Sequence, residues 1–240
     1  MTETGLGVLI VSGTGTGVGK TVVTAALTAL ARARGETVAV VKPAQTGEPP
    51  GGPGDLGVVG DLTGHTDLHE LARFPDPLSP EAAARAAGMA PLDLRRAASH
   101  VAGLAEDRRS VIVEGAGGLL VRYDPAGTTI ADLAGMLDAP VLVVAEAGLG
   151  TLNHTALTME ALTARKLRFA GVVIGAWPAE PGRAELTNLP GLETITNRPL
   201  AGILPAGAGR LGPDAFREVA ARGLEPALGG TFDPAAFLAR

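Results

Sequence analysis

The chain has 240 residues, 46% of them hydrophobic and 19% charged, with 34 Gly, 18 Pro, no Cys and a net charge of −5. The lack of Cys excludes disulfides, a thiolate nucleophile and Cys-bound zinc, and the acidic balance argues against general nucleic-acid binding. Residues 1–13 carry no basic stretch, and no apolar run approaches the ~18 residues of a membrane helix, so the expectation is a soluble, cytoplasmic protein built as one domain over 1–240.

The first apolar run is LGVLIVSG at 6–13, and a Gly-rich segment leads from it into a helical pattern over 20–34 that stops at Gly35. TVAVVKP at 37–43 reads as the second strand, followed by a Gly/Pro-rich loop, GEPPGGPG at 47–54, expected to be mobile over a ligand. Ser79, Pro80 and Glu81 form a good helix start, and 92–109 is a further helix. SVIVEGAGG at 110–118 and APVLVVAEAG at 139–148 are the third and fourth strands, with a helix over 151–166. FAGVVIGAWP at 169–178, PLAGILPAG at 199–207 and a helix over 213–222 complete the pattern. Near-continuous apolar strands alternating with helices predict an α/β fold: a doubly wound, mostly parallel sheet of about six or seven strands, covered on both faces. Sites in such sheets gather at the carboxyl ends of the strands.

The first strand runs into Gly13-Thr14-Gly15-Thr16-Gly17-Val18-Gly19-Lys20-Thr21. Backbone amides of such a loop make a nest for phosphate oxygens, with Lys20 reaching the β- and γ-phosphates and the Thr21 hydroxyl available to Mg²⁺. The usual G-x-x-x-x-G-K-[ST] template has Gly where this chain has Thr14, so the loop is a variant. A dinucleotide fingerprint fails, because Val18 or Lys20 stands at its third Gly and Lys42 where an acid would hold the ribose. The reading is a P-loop NTPase fold.

Of the 20 basic residues only Lys20, Lys42 and Lys166 are Lys, the rest being Arg. Lys42 ends the second strand, at the binding edge, and Glu114 ends the third, where an acid holds Mg²⁺ directly or through water. Asp55 and Asp61 follow the Gly/Pro loop, and spacing does not choose between them as a further ligand. His65 and His69 stand four apart, a spacing that holds zinc on a helix, but no third ligand is apparent. His154 reads as a hydrogen-bonding residue near a helix start. Trp177 reads as a packing or a ligand-facing ring.

G-T-x-T-x-V-G-K-T in the first loop, V-x-K-P at the second strand, V-E-G-A-G-G at the third and L-G-T-L-N-H-T after the fourth resemble the dethiobiotin synthetase family, in its order and spacing from about residue 6 to 207. The resemblance implies Mg²⁺- and ATP-dependent closure of a ureido ring. 7,8-Diaminononanoate takes up CO₂ (supplied as bicarbonate) as a carbamate, which attacks the γ-phosphate; the second amine then expels phosphate from the carbamic–phosphoric anhydride. It also implies the roles. Lys20, Lys42 and Thr16 form the reacting corner, and Thr21, Asp55 and Glu114 are the Mg²⁺-associated residues. Gly17, Val18, Gly19, Lys20, Thr21, Val22, Asp55, Glu114, Gly115, Ala116 and Gly117 hold the nucleotide phosphates, with Gly175, Ala176, Pro205, Ala206 and Gly207 near the base. Lys42 and Thr46 contact the substrate, whose carboxylate is received by Leu149, Gly150, Thr151 and Asn153 from the partner subunit of a homodimer.

Two positions depart from the family. Gly17 stands where many members carry an acid, and Gly175 where an Asn often reads adenine. A site without that buried donor and acceptor discriminates less between bases, so CTP or GTP is expected to serve beside ATP. Partition-type ATPases carry a signature second Lys where this chain has Gly15, and cobyrinate-type amidotransferases need a Cys nucleophile that this chain lacks. A silent nucleotide sensor would have no use for Lys42 and Glu114.

Overall fold

The structure, a computed structural model, describes residues 5–239; the expectation made for the opening residues falls outside that range at 1–4. In chain order the strands and helices are β1 (Gly7–Gly13), α1 (Lys20–Ala33), β2 (Val38–Lys42), β3 (Gln45–Thr46), α2 (Gly54–Thr63), β4 (Leu68–Glu70), β5 (Arg73–Phe74), α3 (Pro80–Ala86), α4 (Leu94–Asp107), β6 (Ser110–Gly118), α5 (Ile130–Met136), β7 (Val141–Ala145), α6 (Thr151–Ala164), β8 (Phe169–Trp177), α7 (Arg183–Thr196), β9 (Gly202–Pro205), α8 (Pro213–Gly223) and α9 (Pro234–Leu238). Seven strands form one sheet in the order β4-β2-β6-β1-β7-β8-β9, every neighbouring pair parallel, and β3 pairs with β5 in a separate two-stranded sheet. Among the described residues no helix is long and apolar enough to cross a membrane.

The doubly wound arrangement follows from strands that are apolar on both sides. Successive residues of a strand point to opposite faces, so Leu9 and Val11 pack with α1, α2 and α8, while Ile10 packs with the helices of the other face. Ile10, Ile112 and Leu142 are wholly buried, each contributing about 1.5–3 kcal/mol of apolar burial. β1 lies at the centre between β6 and β7, and its carboxyl end is therefore the crevice where the winding reverses.

Helix α1 ends as expected. Gly35 has φ +73°, its N–H donates to the Arg32 carbonyl, and Glu36 N–H donates to that of Ala31. Ser79 stands at the N-cap of α3, but its side chain caps nothing. Four helices (α2, α5, α7 and α9) and the short strands β3, β4 and β5 were not legible in the sequence. α2 carries Gly at 54, 57 and 60, poor helix residues, and is held by burying Leu56, Val59 and Leu62. α7 contains Pro190, a residue that ordinarily marks a helix end. α5 is short, yet it is closed by a capping box in which the Asp132 carboxylate accepts from the Thr129 N–H at 2.8 Å.

The helix that would carry His65 and His69 on one face does not exist. His65 lies in the connection after α2 and His69 in β4. Trp177 is half-buried and packs edge-to-face on Phe237, centroids 5.7 Å apart.

Candidate active site

At the carboxyl end of β1 the chain turns through the phosphate loop into α1, whose first residue is Lys20. Gly19, at φ +95°, makes that entry, and a side chain there would meet the Gly175 carbonyl at 2.7 Å. The contact is reciprocal: a Cβ on Gly175 would lie 2.1 Å from the Val18 carbonyl oxygen. The end of β8 therefore lies directly against the phosphate loop, with no room for a side chain at 175.

A cleft of about 590 Å³ opens above the loop. Thr16, Gly17, Gly19, Lys20, Thr21 and Val22 line one side; Lys42, Gln45, Thr46 and Asp55 line another, and Glu114, Ala116 and Gly117 close it. Val18 is 2% exposed and turned into the core, so only its backbone can serve a phosphate. Asp61 is exposed and absent from the cleft, so the structure separates the two acids that spacing could not.

Lys42 is the centre of this cleft. Its ammonium donates to Glu114 Oε1 at 2.8 Å and to the Gly115 carbonyl at 3.2 Å, and it forms an ion pair with Asp55. Burial pulls its pKa down, but Glu114 and Asp55 outweigh that and raise it, so Lys42 is a fixed cation. Asp55, drawn upward by burial, is carried below the usual carboxylate range by Lys42 and by hydrogen bonds. Lys20 is different: burial, with the charge of Lys42 beside it, lowers its pKa to about 8. Its ammonium donates to the Gly15 carbonyl at 2.8 Å, closing the phosphate loop on itself.

The Thr21 hydroxyl donates to Glu114 Oε1 at 3.0 Å, and Glu114 Oε2 is buried with no partner among the described residues. No cluster of three or more His, Cys, Asp or Glu suited to a metal occurs among those residues. Two carboxylates, a hydroxyl and one unused carboxylate oxygen nevertheless fit a hard, oxygen-liganded cation that takes its remaining ligands from phosphate and water.

Three features were not foreseen. Gln45 is 5% exposed and its Oε1 accepts the Asp55 N–H at 2.8 Å. The Tyr123 hydroxyl, in a wholly buried ring, accepts the Ala116 N–H at 2.8 Å and so holds the turn after Glu114. Arg73 ties down the Gly/Pro loop. None of the three side chains carries a local pattern that would have marked its role.

The remaining residues lie outside the cleft. Ala176, Pro205, Ala206 and Gly207 form an exposed shelf at the ends of β8 and β9, where Ala206 N–H donates to the Trp177 carbonyl at 2.7 Å. Leu149 is 85% exposed, Gly150 and Asn153 are exposed and Thr151 is buried, all at the start of α6 after β7.

A family model described as an AAA domain matches residues 7–209. The fold is shared with a ParA-family ATPase from Chlorobium tepidum TLS (TM-score 0.54, 16% identity, 93% of this chain and 95% of that one) and with the cell division ATPase MinD of Pyrococcus furiosus (TM-score 0.53, 18% identity, 89% and 97%). Fold and phosphate loop together define a P-loop α/β nucleotide-binding protein. In sequence it is 62% identical to the ATP-dependent dethiobiotin synthetase BioD of Frankia casuarinae, over 97% of this chain and 98% of that protein. It is 59% identical to the Parafrankia protein of the same name (98% and 99%) and 54% to that of Streptomyces coelicolor (96% and 97%). The chain belongs to the ATP-dependent dethiobiotin synthetase family.

Proposed function

We propose that this protein closes the ureido ring of dethiobiotin from 7,8-diaminononanoate, CO₂ and a nucleoside triphosphate, working in the cytoplasm as one P-loop domain. One observation carries the reading: the buried Lys42, paired with Glu114 and Asp55, shares one cleft with the phosphate loop and its Lys20.

A carbamate oxygen is already an anion, so its attack on the γ-phosphate needs no strong base. The difficulty is bringing two anions together, and fixed cations and amide dipoles relieve it. The phosphate loop, Gly17 to Val22, cradles the polyphosphate with Lys20, while Lys42 lies between it and the carbamate. Thr16 and Thr46 hold the reacting groups from either side. The carbamate oxygen forms the bond to phosphorus as the β–γ bridge breaks to ADP. The second amine then bonds to the carbamoyl carbon, and phosphate leaves with a proton released. Thr21, Asp55 and Glu114 would hold Mg²⁺, which supplies charge neutralisation on the phosphates. Gly115, Ala116 and Gly117 bring backbone close to the same groups.

We further read the protein as a homodimer. Leu149 at 85% exposure, just before α6, and Leu157 at 56%, in the middle of that helix, are large apolar side chains left facing outward. The start of the helix, with Leu149, Gly150, Thr151 and Asn153, suits a carboxylate delivered by a neighbouring subunit. The base lies on the shelf of Gly175, Ala176, Pro205, Ala206 and Gly207, which offers backbone alone, so CTP and GTP serve beside ATP. Complementation tests the shared site. Mixed Lys42→Ala and Asn153→Ala subunits are each inactive, and random pairing leaves about a quarter of the sites intact. Mixtures without any regained activity would contradict a shared site.

A further inference from the structure

The Gly/Pro segment 47–54 was expected to be mobile, yet a cross-strand pair ties it down in its middle and at its far end. Gln45 in β3 and Arg73 in β5 are register partners. Gln45 Oε1 takes the Asp55 N–H at the far end of the segment. Arg73 reaches its middle, Nη1 donating to the carbonyls of Pro49 at 3.1 Å and Gly52 at 2.9 Å. The other edge of the guanidinium is occupied by Glu70, with Nε to Oε1 at 2.6 Å and Nη2 to Oε2 at 2.7 Å. Glu70 is itself the register partner of Lys42 on the neighbouring strand, so the clasp is anchored beside the central cation.

A segment with Pro at 49, 50 and 53 has few N–H groups of its own; Gly52 N–H donates to the Pro49 carbonyl at 3.0 Å, and further donors come from outside the segment. Arg73 supplies two on one face of a planar fork while the bidentate carboxylate fixes the other, a geometry that Lys cannot reproduce. The segment ends at α2, whose second residue is Asp55.

We infer that Arg73 is a positioning residue: through the 47–54 segment it holds Asp55 beside Lys42 and Glu114, where the two carboxylates would bind Mg²⁺. The inference rests on the reading of Asp55 as Mg²⁺-associated. Outer residues that orient a metal-bound carboxylate typically change metal affinity 10- to 100-fold.

The test compares the full-length protein with Arg73→Lys and Arg73→Ala. In the free protein, amide exchange over 48–55 is measured; in the presence of ATP, Mg²⁺ is titrated both by calorimetry and by turnover. Both variants are expected to exchange faster over 48–55 and to need at least about 10-fold more Mg²⁺ for half-saturation. Turnover at saturating Mg²⁺ and ATP affinity without Mg²⁺ should stay within about twofold of wild type, within the ±0.5 kcal/mol of an ordinary surface change. A purely structural Arg73 would lower the melting temperature and leave the Mg²⁺ midpoint in place; that result, or unchanged exchange, overturns the inference. A wild-type protein whose ATP binding ignores Mg²⁺ overturns the metal reading itself, a result distinct from the other two.

Discussion

Lys42 Nζ lies 2.8 Å from Glu114 Oε1, with the two side chains 3% and 0% exposed. The pair joins the ends of β2 and β6 at the floor of the cleft, and the approach of Asp55 makes it a triad with one positive and two negative members. Such a group is expensive to bury and expensive to break.

Lys42→Ala accordingly has two effects that must be separated. Loss of the cation leaves Glu114 buried without its counter-ion, costing about 3–5 kcal/mol of stability by chemical denaturation. Product formation should vanish, while MgATP binding by calorimetry largely survives because Mg²⁺ restores the positive charge. Retained product formation would remove Lys42 from the chemistry.

Lys20 gives a pH dependence with a definite sign. Its pKa in the free folded protein is lowered to about 8, so it loses its proton as the pH rises through that value. Below pH 8 the buried charge costs stability relative to the unfolded chain, and the cost lifts between about 8 and the ordinary 10.5. Polyphosphate favours the ammonium form, so nucleotide binding should take up a proton above pH 8 and weaken as the pH rises further. Calorimetry at pH 8.5 in buffers of different ionisation enthalpy checks this. Heats independent of the buffer would contradict it.

Gly175→Asn should not create an adenine reader. The new Cβ would lie 2.1 Å from the Val18 carbonyl and displace the phosphate loop, an overpacking cost of about 1–3 kcal/mol. Affinity should fall about 5- to 150-fold for ATP, CTP and GTP alike. A gain in selectivity for ATP without loss of affinity would show that the loop has room the structure denies.

The wild-type protein should accept CTP or GTP within about 100-fold of ATP, less than about 2.7 kcal/mol of base recognition. Competition binding with the three triphosphates decides it. A larger preference for ATP would mean that the backbone shelf at Ala206 and Gly207 reads the base after all.

The sequence was most legible where chemistry and local conformation coincide. The six main strands, the phosphate loop and helix α1 could be drawn from apolar runs ending in Gly or Pro, and their strand ends pointed to Lys42 and Glu114. Asp55 and Asp61 were indistinguishable because α2 has Gly at every third position and hides its own helical face. Glu70, Arg73 and Gln45 gave no local signal, for what they do depends on pairings between β2 and β4 and between β3 and β5 that short strands do not announce. His65 and His69 show the converse. Their spacing suits a helix, but the chain is extended there to supply the sheet's edge.

The central claim is the reaction, and mass spectrometry of the purified protein with 7,8-diaminononanoate, bicarbonate, Mg²⁺ and, separately, ATP, CTP and GTP tests it most directly. The account predicts dethiobiotin formed only when a triphosphate is present, with appreciable yields from more than one base. Nucleotide bound and hydrolysed without dethiobiotin would contradict it, and would make this cleft that of a nucleotide switch.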